Sequence, residues 1–189
     1  MADELKRVVF CWGRMNPPTI GHEKLINFTI SKAGTDDWWV MATHSHTPGK
    51  EKNPISYEDK IRYLKKMFPK HADHIYEGPH SQTIIKVMQF LQPDYDHVVG
   101  IVGDDQYAWL NRLLPERNGT EDYTFDKIEV LSAGARAADA KGAAGASSSK
   151  QKEFVKKNDI TSFNSYLPDT LSIGEKNKLF ALTKKGMGL

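Results

Sequence analysis

The sequence predicts an α/β fold built on an open parallel sheet. Short apolar runs rich in β-branched and aromatic residues alternate with segments of about 10–15 residues at helical spacing, a pattern typical of βαβ units. The length of 189 residues fits one compact domain with appended segments. A hydrophobic share of 39% is enough to form a core, and it argues against a disordered chain.

Apolar runs of strand length predict the sheet, because β-branched and aromatic side chains fit a buried pleated surface. The first run ends at Gly13, and the fourth is closed by Gly103-Asp104-Asp105. In chain order, the predicted strands span residues 6–12, 38–43, 74–77, 97–102 and 127–132.

Apolar residues at helical spacing predict helices between these strands. The first helix carries Ile26 and Ile30 on one face and ends at Gly34, a typical C-terminal signal. Ser56 and Asp59 resemble a capping box at the start of the second helix. Further helices are predicted over 81–91, from 105 to 114, and from about 147, 159 and 172. Parallel strands with helices on both faces of the sheet make a Rossmann-like fold.

The chain is expected to form one Rossmann-like domain over residues 1–170. Residues 171–189 then form a C-terminal helix and tail packed on the same domain. The Ala- and Gly-rich stretch over 133–146 is typical of a loop, and residues 184–189 are expected to fray.

Composition and charge narrow the set of partners. A formal net charge of +2 predicts no dedicated nucleic-acid-binding surface. The single cysteine, Cys11, cannot form an internal disulfide, which indicates a reducing compartment. The N-terminal apolar run is too short for a signal peptide, and no run reaches the length of a membrane helix. We therefore expect a cytoplasmic protein that does not enter a membrane.

The segment between the first strand and the first helix carries the clearest functional signal. Ligands of open parallel sheets bind at the carboxyl ends of the strands. Gly13 and Gly21 allow the backbone to approach a phosphate, and a helix N-terminus offers unpaired N–H groups to it.

This segment reads Gly13-Arg14-Met15-Asn16-Pro17-Pro18-Thr19-Ile20-Gly21-His22. It resembles the G-x-F-(D/N/Q)-P-x-(H/T)-x-G-H signature of the nucleotidyltransferase superfamily, which includes phosphopantetheine, nicotinamide-mononucleotide and cytidylyl transferases. Met15 replaces the usual phenylalanine of that signature, and both side chains are apolar.

A second segment, Ser147-Ser148-Ser149-Lys150-Gln151-Lys152, follows the last strand and opens a helix. Hydroxyls and unpaired N–H groups at a helix start can hold phosphates, with Lys152 about one turn further on. The segment resembles the superfamily motif I-S-(S/T)-(S/T)-x-x-(R/K). Ala146 stands where that motif has isoleucine.

Two further segments resemble parts of nicotinamide-mononucleotide adenylyltransferases. Gly103-Asp104-Asp105 resembles their G-x-D motif, which implies that Asp105 faces nucleotide or substrate. Residues 53–60 resemble the substrate-side loop and helix start of the archaeal type, and Lys50 and Lys52, which precede them, are candidates for contacts with an acceptor phosphate.

The resemblance implies a HIGH-type nucleotidyltransferase fold and transfer of AMP from ATP to a small phosphorylated acceptor, with release of pyrophosphate. In this interpretation His22, Thr19, Arg14 and Lys152 are catalytic. Gly13, Asn16, Gly21, Asp105, Ser147, Ser148 and Ser149 bind the nucleotide. Mg²⁺ is the expected cofactor and is bound through phosphates, so no protein metal site is expected.

Three alternatives stay open on the sequence. The acceptor resemblance is divided between nicotinamide mononucleotide and phosphopantetheine. Another enzyme of the same class would be a cytidylyltransferase that uses CTP. A different class is a catalytically retired module that binds nucleotide or a partner, which Ala146 and the loop before it support. Relatives in the superfamily frequently form oligomers, so a homo-oligomer of this chain is a further expectation.

Overall fold

The computed structural model describes residues 5–134 and 145–189, and these divide into two compact units. The first, here called the sheet unit, comprises residues 5–13, 25–42 and 76–134. The second, here called the motif unit, comprises residues 14–24, 43–75 and 145–189. Most of the loop expected over 133–146 lies outside the described residues, and the domain boundary at residue 170 stays a prediction.

The strands lie in the sheet unit, and both units contain helices. The strands are β1 (Arg7–Gly13), β2 (Asp37–Ala42), β3 (His97–Val102) and β4 (Lys127–Ser132). The helices are α1 (His22–Ala33), α2 (Tyr57–Met67), α3 (Ile84–Leu91), α4 (Asp104–Arg117), α5 (Ser148–Lys156), α6 (Ile160–Ser165) and α7 (Ile173–Gly186). Among the described residues, no helix combines the length and the apolar character that a membrane crossing requires.

The sheet unit contains a four-stranded parallel sheet in the order β2-β1-β3-β4. The predicted Rossmann-like α/β fold is thus confirmed. In the register, Gly13 is opposite Ala42, and Cys11 is opposite Ile101. Because the chain leaves β1 for β2 on one side and returns to β3 on the other, the carboxyl ends of β1 and β3 form the topological switch point of the sheet.

Alternation along β1 places helices on both faces of the sheet. Phe10 and Trp12 belong to an apolar cluster with side chains of α3 and α4. Cys11 points to the opposite face, where its thiol has a hydrogen bond with Thr29 of α1. Burial raises the pKa of the Cys11 thiol to about 12, so this cysteine is an inert core residue.

The strand predicted over 74–77 is wrong. A 3₁₀ helix, Pro69–His74, occupies the approach to this segment. The amide of Tyr76 donates one hydrogen bond to the carbonyl of Val40, at 3.0 Å, but no ladder with β2 follows. Two apolar or aromatic residues in a row, Ile75 and Tyr76, are too short a signal to separate an extended segment from a strand.

Capping side chains begin the helices of the motif unit where the sequence predicts them. Ser56, Ser147, Asp159 and Ser172 are the N-caps of α2, α5, α6 and α7, and each accepts a hydrogen bond from a backbone N–H of the first turn. At Ser172 a full capping box with Glu175 forms. The Lys66 ammonium and the capping hydrogen bonds lower the pKa of the Glu175 carboxyl to about 2.

The expectation of a frayed C-terminus is wrong for its first residues. Helix α7 continues to Gly186, whose carbonyl accepts a hydrogen bond from the amide of Gly49 at 2.9 Å. A Cβ at Gly186 would lie 1.9 Å from the carbonyl oxygen of Pro54, so the helix end approaches this backbone closely. Met187 is buried as well. The contact with the 49–54 backbone therefore orders the end of the chain.

The core of the sheet unit gives a direct test of packing. Met88 of α3 is fully buried in the apolar cluster, whereas its neighbour Gln89 is exposed. We expect Met88→Ala to lower the free energy of unfolding by about 2–5 kcal/mol, because it removes apolar contacts and leaves a cavity. Gln89→Ala is the matched control and should stay within about 0.5 kcal/mol of the parent. Urea unfolding measures both, and equal stability of the two variants would contradict this packing.

Candidate functional site

The motif unit holds the loop from Arg14 to His22, with His22 as the first residue of α1. The His22 ring is buried, and its Nδ1 lies 2.9 Å from the backbone nitrogen of Thr19. A backbone N–H can only donate, so Nδ1 accepts this hydrogen bond, which favours a ring whose proton lies on Nε2. The carbonyl oxygen of Thr19 also lies 3.1 Å from Nδ1, so both backbone groups of Thr19 face this side of the ring.

Thr19 serves this same histidine. It is fully buried, and its hydroxyl oxygen lies 3.2 Å from Nδ1 of His22. Because its backbone N–H and its hydroxyl both face one ring nitrogen, Thr19 fixes the orientation of the imidazole ring.

Both polar atoms of the Asn16 side chain form hydrogen bonds with the protein backbone. Its Nδ2 donates to the carbonyls of Ile55, at 2.8 Å, and Ser45, at 3.2 Å. Its Oδ1 accepts from the amide of Ile55 at 3.0 Å. Asn16 is 3% exposed, so this amide joins the first loop to the 45–55 segment. The predicted contact of Asn16 with nucleotide stays a prediction.

The structure brings the two sequence motifs into contact. A Cβ atom at Gly21 would lie 2.2 Å from the carbonyl oxygen of Ala146 and 3.1 Å from its carbonyl carbon, a separation that side chains do not adopt. The hydroxyl of Ser148 donates to the carbonyl of Pro17 at 2.7 Å, across 131 residues of sequence. Gly21 is therefore required for close approach of two backbones, a role beyond the predicted access for phosphate.

The three serines of the second motif differ in their surroundings. Ser147 caps α5 by accepting from the amide of Lys150 at 3.2 Å, and the Ser148 hydroxyl is used on Pro17. Ser149 is exposed in the first turn of the helix. The end of α5 that carries unpaired N–H groups thus lies beside the first loop, with one exposed hydroxyl.

Positive charges surround this contact. Burial lowers the pKa of the Lys152 ammonium, and the charges of Arg14 and Lys156 lower it further, against an opposing effect of Glu51. Glu51 itself pairs with Lys156 at 2.5 Å. The exposed Arg14 and the half-buried Lys152 therefore repel each other, an arrangement that favours a bound anion.

Lys50 and Lys52 lie on the exposed part of the loop that precedes Asn53. They belong to the motif unit along with both motifs. Their predicted role at an acceptor phosphate stays a prediction.

Sequence reasoning missed one buried cation of this unit. Lys60 of α2 is 0% exposed, and its Nζ donates to the carbonyl of Arg14 at 2.9 Å and to the carbonyl of Thr43. The helical spacing indicates that Lys60 is buried, because the buried Leu64 and Met67 follow it at i+4 and i+7. A residue on that stripe faces the interior whatever its charge.

The sheet unit carries the remaining predicted residues, Gly13 and Asp105, at its switch point. The register that pairs Cys11 with Ile101 brings Gly13 and Gly103 to the same edge of the sheet. The Asp105 carboxylate is exposed in the first turn of α4, and its Oδ1 would lie 2.8 Å from a Cβ at Gly103. Asp105 is not the N-cap of α4, since that position is Gly103.

Two tryptophans of the sheet unit were also missed. Trp109 of α4 is 45% exposed, and its ring centroid lies 6.4 Å from that of Trp12 at the end of β1. The indole N–H of Trp12 is buried without a hydrogen-bond partner among the described residues. Trp109 follows Asp105 by four residues, and this i, i+4 spacing is the signal that both share one face of α4.

The described residues contain no group of three or more histidine, cysteine, aspartate or glutamate side chains that could hold a metal ion. The ring of His44 stacks on Tyr57 with a centroid distance of 3.6 Å.

Comparison with known proteins gives a family and a structural neighbour. The model of the cytidylyltransferase-like family matches residues 10–162. The search of curated proteins gives no individual match. Among solved structures, the chain is similar to Plasmodium falciparum nicotinic acid mononucleotide adenylyltransferase complexed with APC, with a TM-score of 0.56 and 15% identity over 94% of this chain and 98% of that chain. At this identity the likeness supports the fold.

The contact at Gly21 can be tested by adding a single methyl group. We expect Gly21→Ala to lower the free energy of unfolding by about 1–3 kcal/mol, because the new Cβ must displace the Ala146 backbone. Gly174→Ala is the control in the same unit, since the nearest atom to its Cβ would be the Ser172 hydroxyl at 4.0 Å. Urea unfolding should show the parent's stability or slightly more for Gly174→Ala. A Gly21→Ala chain as stable as the parent would show that the two motifs do not meet as described.

Proposed function

We propose, from the premise that this chain belongs to the cytidylyltransferase-like family, that it transfers AMP from ATP to a small acceptor that bears a phosphate. The family identifies the chain as a nucleotidyltransferase, and the choice of ATP and of acceptor is the proposal. The observation that carries it is the meeting of the two motifs, with Gly21 against Ala146 and Ser148 bonded to Pro17 beside the positive charges of Arg14 and Lys152.

The β- and γ-phosphates of the nucleotide bind to the second motif and its cations. Arg14 and Lys152 supply positive charge, and the first turn of α5 supplies N–H groups and the Ser149 hydroxyl. Ser147 and Ser148 contribute indirectly, because their hydroxyls hold the helix start and the loop in place. Gly13 leaves open space where a side chain would stand, which keeps the backbone accessible to phosphate, whereas the missing side chain of Gly21 admits the Ala146 backbone.

His22 donates a hydrogen bond from Nε2 to the α-phosphoryl oxygens. The hydrogen bond from the Thr19 amide to Nδ1 favours the tautomer that this requires. The bond strengthens as negative charge develops on those oxygens in the transition state, so its main effect is on turnover.

The reaction needs no covalent intermediate on the protein. A phosphate oxygen of the acceptor attacks the α-phosphorus in line, and the bond from that phosphorus to the bridging oxygen of the β-phosphate breaks. Pyrophosphate leaves with the electron pair of that bond. Positioning and charge stabilisation are sufficient for such chemistry.

The two motifs contain cations and hydroxyls but no carboxylate, so Mg²⁺ would be held mainly by the phosphates of the nucleotide. When bound, it would supply further positive charge against the triphosphate and the pyrophosphate. Arg14, Lys152 and the start of α5 bind the phosphate oxygens in this proposal.

An acceptor with an aromatic base, of the nicotinamide or nicotinic acid mononucleotide type, is favoured over phosphopantetheine. Trp109 offers an exposed ring one turn from the exposed Asp105 carboxylate, the pairing that a flat heterocycle with polar groups requires. Within the motif unit, the exposed Lys50 and Lys52 are our candidates for a contact with a phosphate of the acceptor. The name of the structural neighbour, a nicotinic acid mononucleotide adenylyltransferase, agrees with this choice.

Release of pyrophosphate tests the reaction. The chain is incubated with Mg²⁺, ATP or CTP, and nicotinamide mononucleotide, nicotinic acid mononucleotide or phosphopantetheine. We expect release with ATP and a pyridine mononucleotide. His22→Ala should lower kcat by about 10²–10³-fold with a small change in KM. His74→Ala, a histidine outside both motifs, is the control for general damage.

Other outcomes of the same assay assign other functions. Release with CTP alone identifies a cytidylyltransferase. ATP binding by calorimetry without turnover on any acceptor identifies a binding module. A parent rate retained by His22→Ala would remove His22 from the mechanism.

The role of Lys152 is tested by nucleotide binding. Lys152→Met should weaken ATP binding by about tenfold to a hundredfold, because a charge-assisted hydrogen bond to phosphate is lost. Lys157→Met, at the exposed C-terminal end of the same helix, should bind ATP as the parent does. Calorimetry measures both constants, and equal weakening in the two variants would indicate a general charge effect without a phosphate contact.

A further inference from the structure

Lys60 connects the starts of two loops of the motif unit. Arg14 directly follows β1, and Thr43 directly follows β2. The Lys60 Nζ donates to the carbonyls of both residues, at 2.9 Å for Arg14. One amine therefore fixes the first peptide group of two segments. The first segment is the loop that contains His22, and the second is the segment that continues to Ile55.

The hydrogen bonds of Lys60 match a neutral amine. A neutral amine has two N–H groups and an ammonium has three. Two carbonyl acceptors face the Nζ, and the described residues show no third acceptor for it. Burial lowers the pKa of Lys60 to about 7. The geometry and the environment thus agree on an amine that is partly neutral near neutral pH.

The segments around Lys60 give it no counter-ion. The first loop contributes Arg14 and His22, and the segment after Thr43 contributes His44 and His46. On α2 itself the carboxylate of Asp59 is paired with Arg62 at 2.5 Å, and Glu58 lies in the first turn. No ion pair between Lys60 and a carboxylate is found in the described part of the chain, and burial alone accounts for its lowered pKa.

We propose that Lys60 is a positioning residue that couples nucleotide binding to uptake of a proton. It holds the carbonyls of Arg14 and Thr43 as a neutral amine in the free chain and as an ammonium when a polyphosphate is bound. This inference rests on the proposed function, because the counter-charge is the phosphate chain held by Arg14 and Lys152. The chemical class of the ligand is a nucleoside triphosphate.

The sign of the coupling follows from linkage. A bound anion stabilises the ammonium, so it raises the pKa of Lys60 above the value of about 7 that holds without ligand. Between these two pKa values the complex holds more protons than the free chain does. The contribution of Lys60 to nucleotide affinity is therefore greatest at and below about pH 7 and falls as the pH rises above it, by up to about tenfold per pH unit.

Calorimetry in buffers of different ionisation enthalpy measures the protons taken up when ATP binds. At pH 8, we expect the parent to take up at least about half a proton more than Lys60→Met. The difference between the two chains cancels the ionisation of ATP itself. Lys176→Met is the matched control, because Lys176 is a mostly buried lysine of the same unit that donates to the carbonyl of Leu167 at 3.2 Å. It should behave as the parent does.

Two results separate this inference from the proposed function. Equal proton uptake by the parent and Lys60→Met, with ATP bound to both, overturns the role of Lys60 and leaves the proposed function intact. ATP that binds to no form of the chain overturns the proposed function, and this inference with it.

A second measurement uses the parent chain alone, for the case in which Lys60→Met does not fold. Nuclear magnetic resonance of ¹³Cε-labelled lysine follows each amine through its titration. We expect one lysine with a midpoint near pH 7 that moves upward when ATP is added. If every lysine midpoint stays in the usual range for lysine, or if ATP leaves the low midpoint in place, the proposal is wrong.

Discussion

The loop between β1 and α1 depends on buried hydrogen bonds that distant segments of the motif unit supply. A loop with few regular contacts has backbone groups that must find partners before it can hold one conformation. The carbonyl of Arg14 is bonded to Lys60, and the carbonyl of Pro17 to Ser148. The amide of Ile20 bonds to the carbonyl of Tyr166 at 2.9 Å. With these carbonyl and amide groups paired, His22 can hold one ring orientation.

The same close packing restricts which side chains fit where the two motifs meet. Gly21 has no room for a side chain, because the carbonyl of Ala146 occupies that space. Ala146 is itself buried, although the resemblance to the superfamily leads one to expect the larger isoleucine. The serine motif is therefore held by backbone contacts and by the Ser148 hydroxyl, with little side-chain packing from residue 146. This weakens the case that Ala146 indicates a retired site.

Local sequence signals predicted what depends on local physics. The strands over 97–102 and 127–132, and the caps at Ser147 and Ser172, rest on apolar runs and on side chains that satisfy their own helix ends. The strand over 74–77 failed because strand pairing is a tertiary property. The frayed tail failed because the backbone of Pro54 and Gly49, far away in sequence, holds Gly186.

The candidate site divides in the same way. The motif strings identified the residues, but they could not show that the Asn16 amide is bonded to Ile55 and Ser45 or that the Thr19 hydroxyl faces His22. Those roles depend on which backbone groups the fold leaves without partners. Lys60 was overlooked because a lysine is usually read as a solvated charge, whereas its helical position marked it as buried.

Burial of a lysine without a carboxylate partner lowers the stability of the free chain, so the presence of a lysine at this position needs a physical reason. Hydrophobic burial at the same position would stabilise α2 without any desolvation penalty. A methionine would, however, leave the carbonyls of Arg14 and Thr43 buried without a donor, which is also unfavourable. A neutral amine satisfies both carbonyls at modest cost and keeps a proton site beside the phosphate loop. When an anion binds, its attraction to the Lys60 ammonium offsets this loss of stability and strengthens binding.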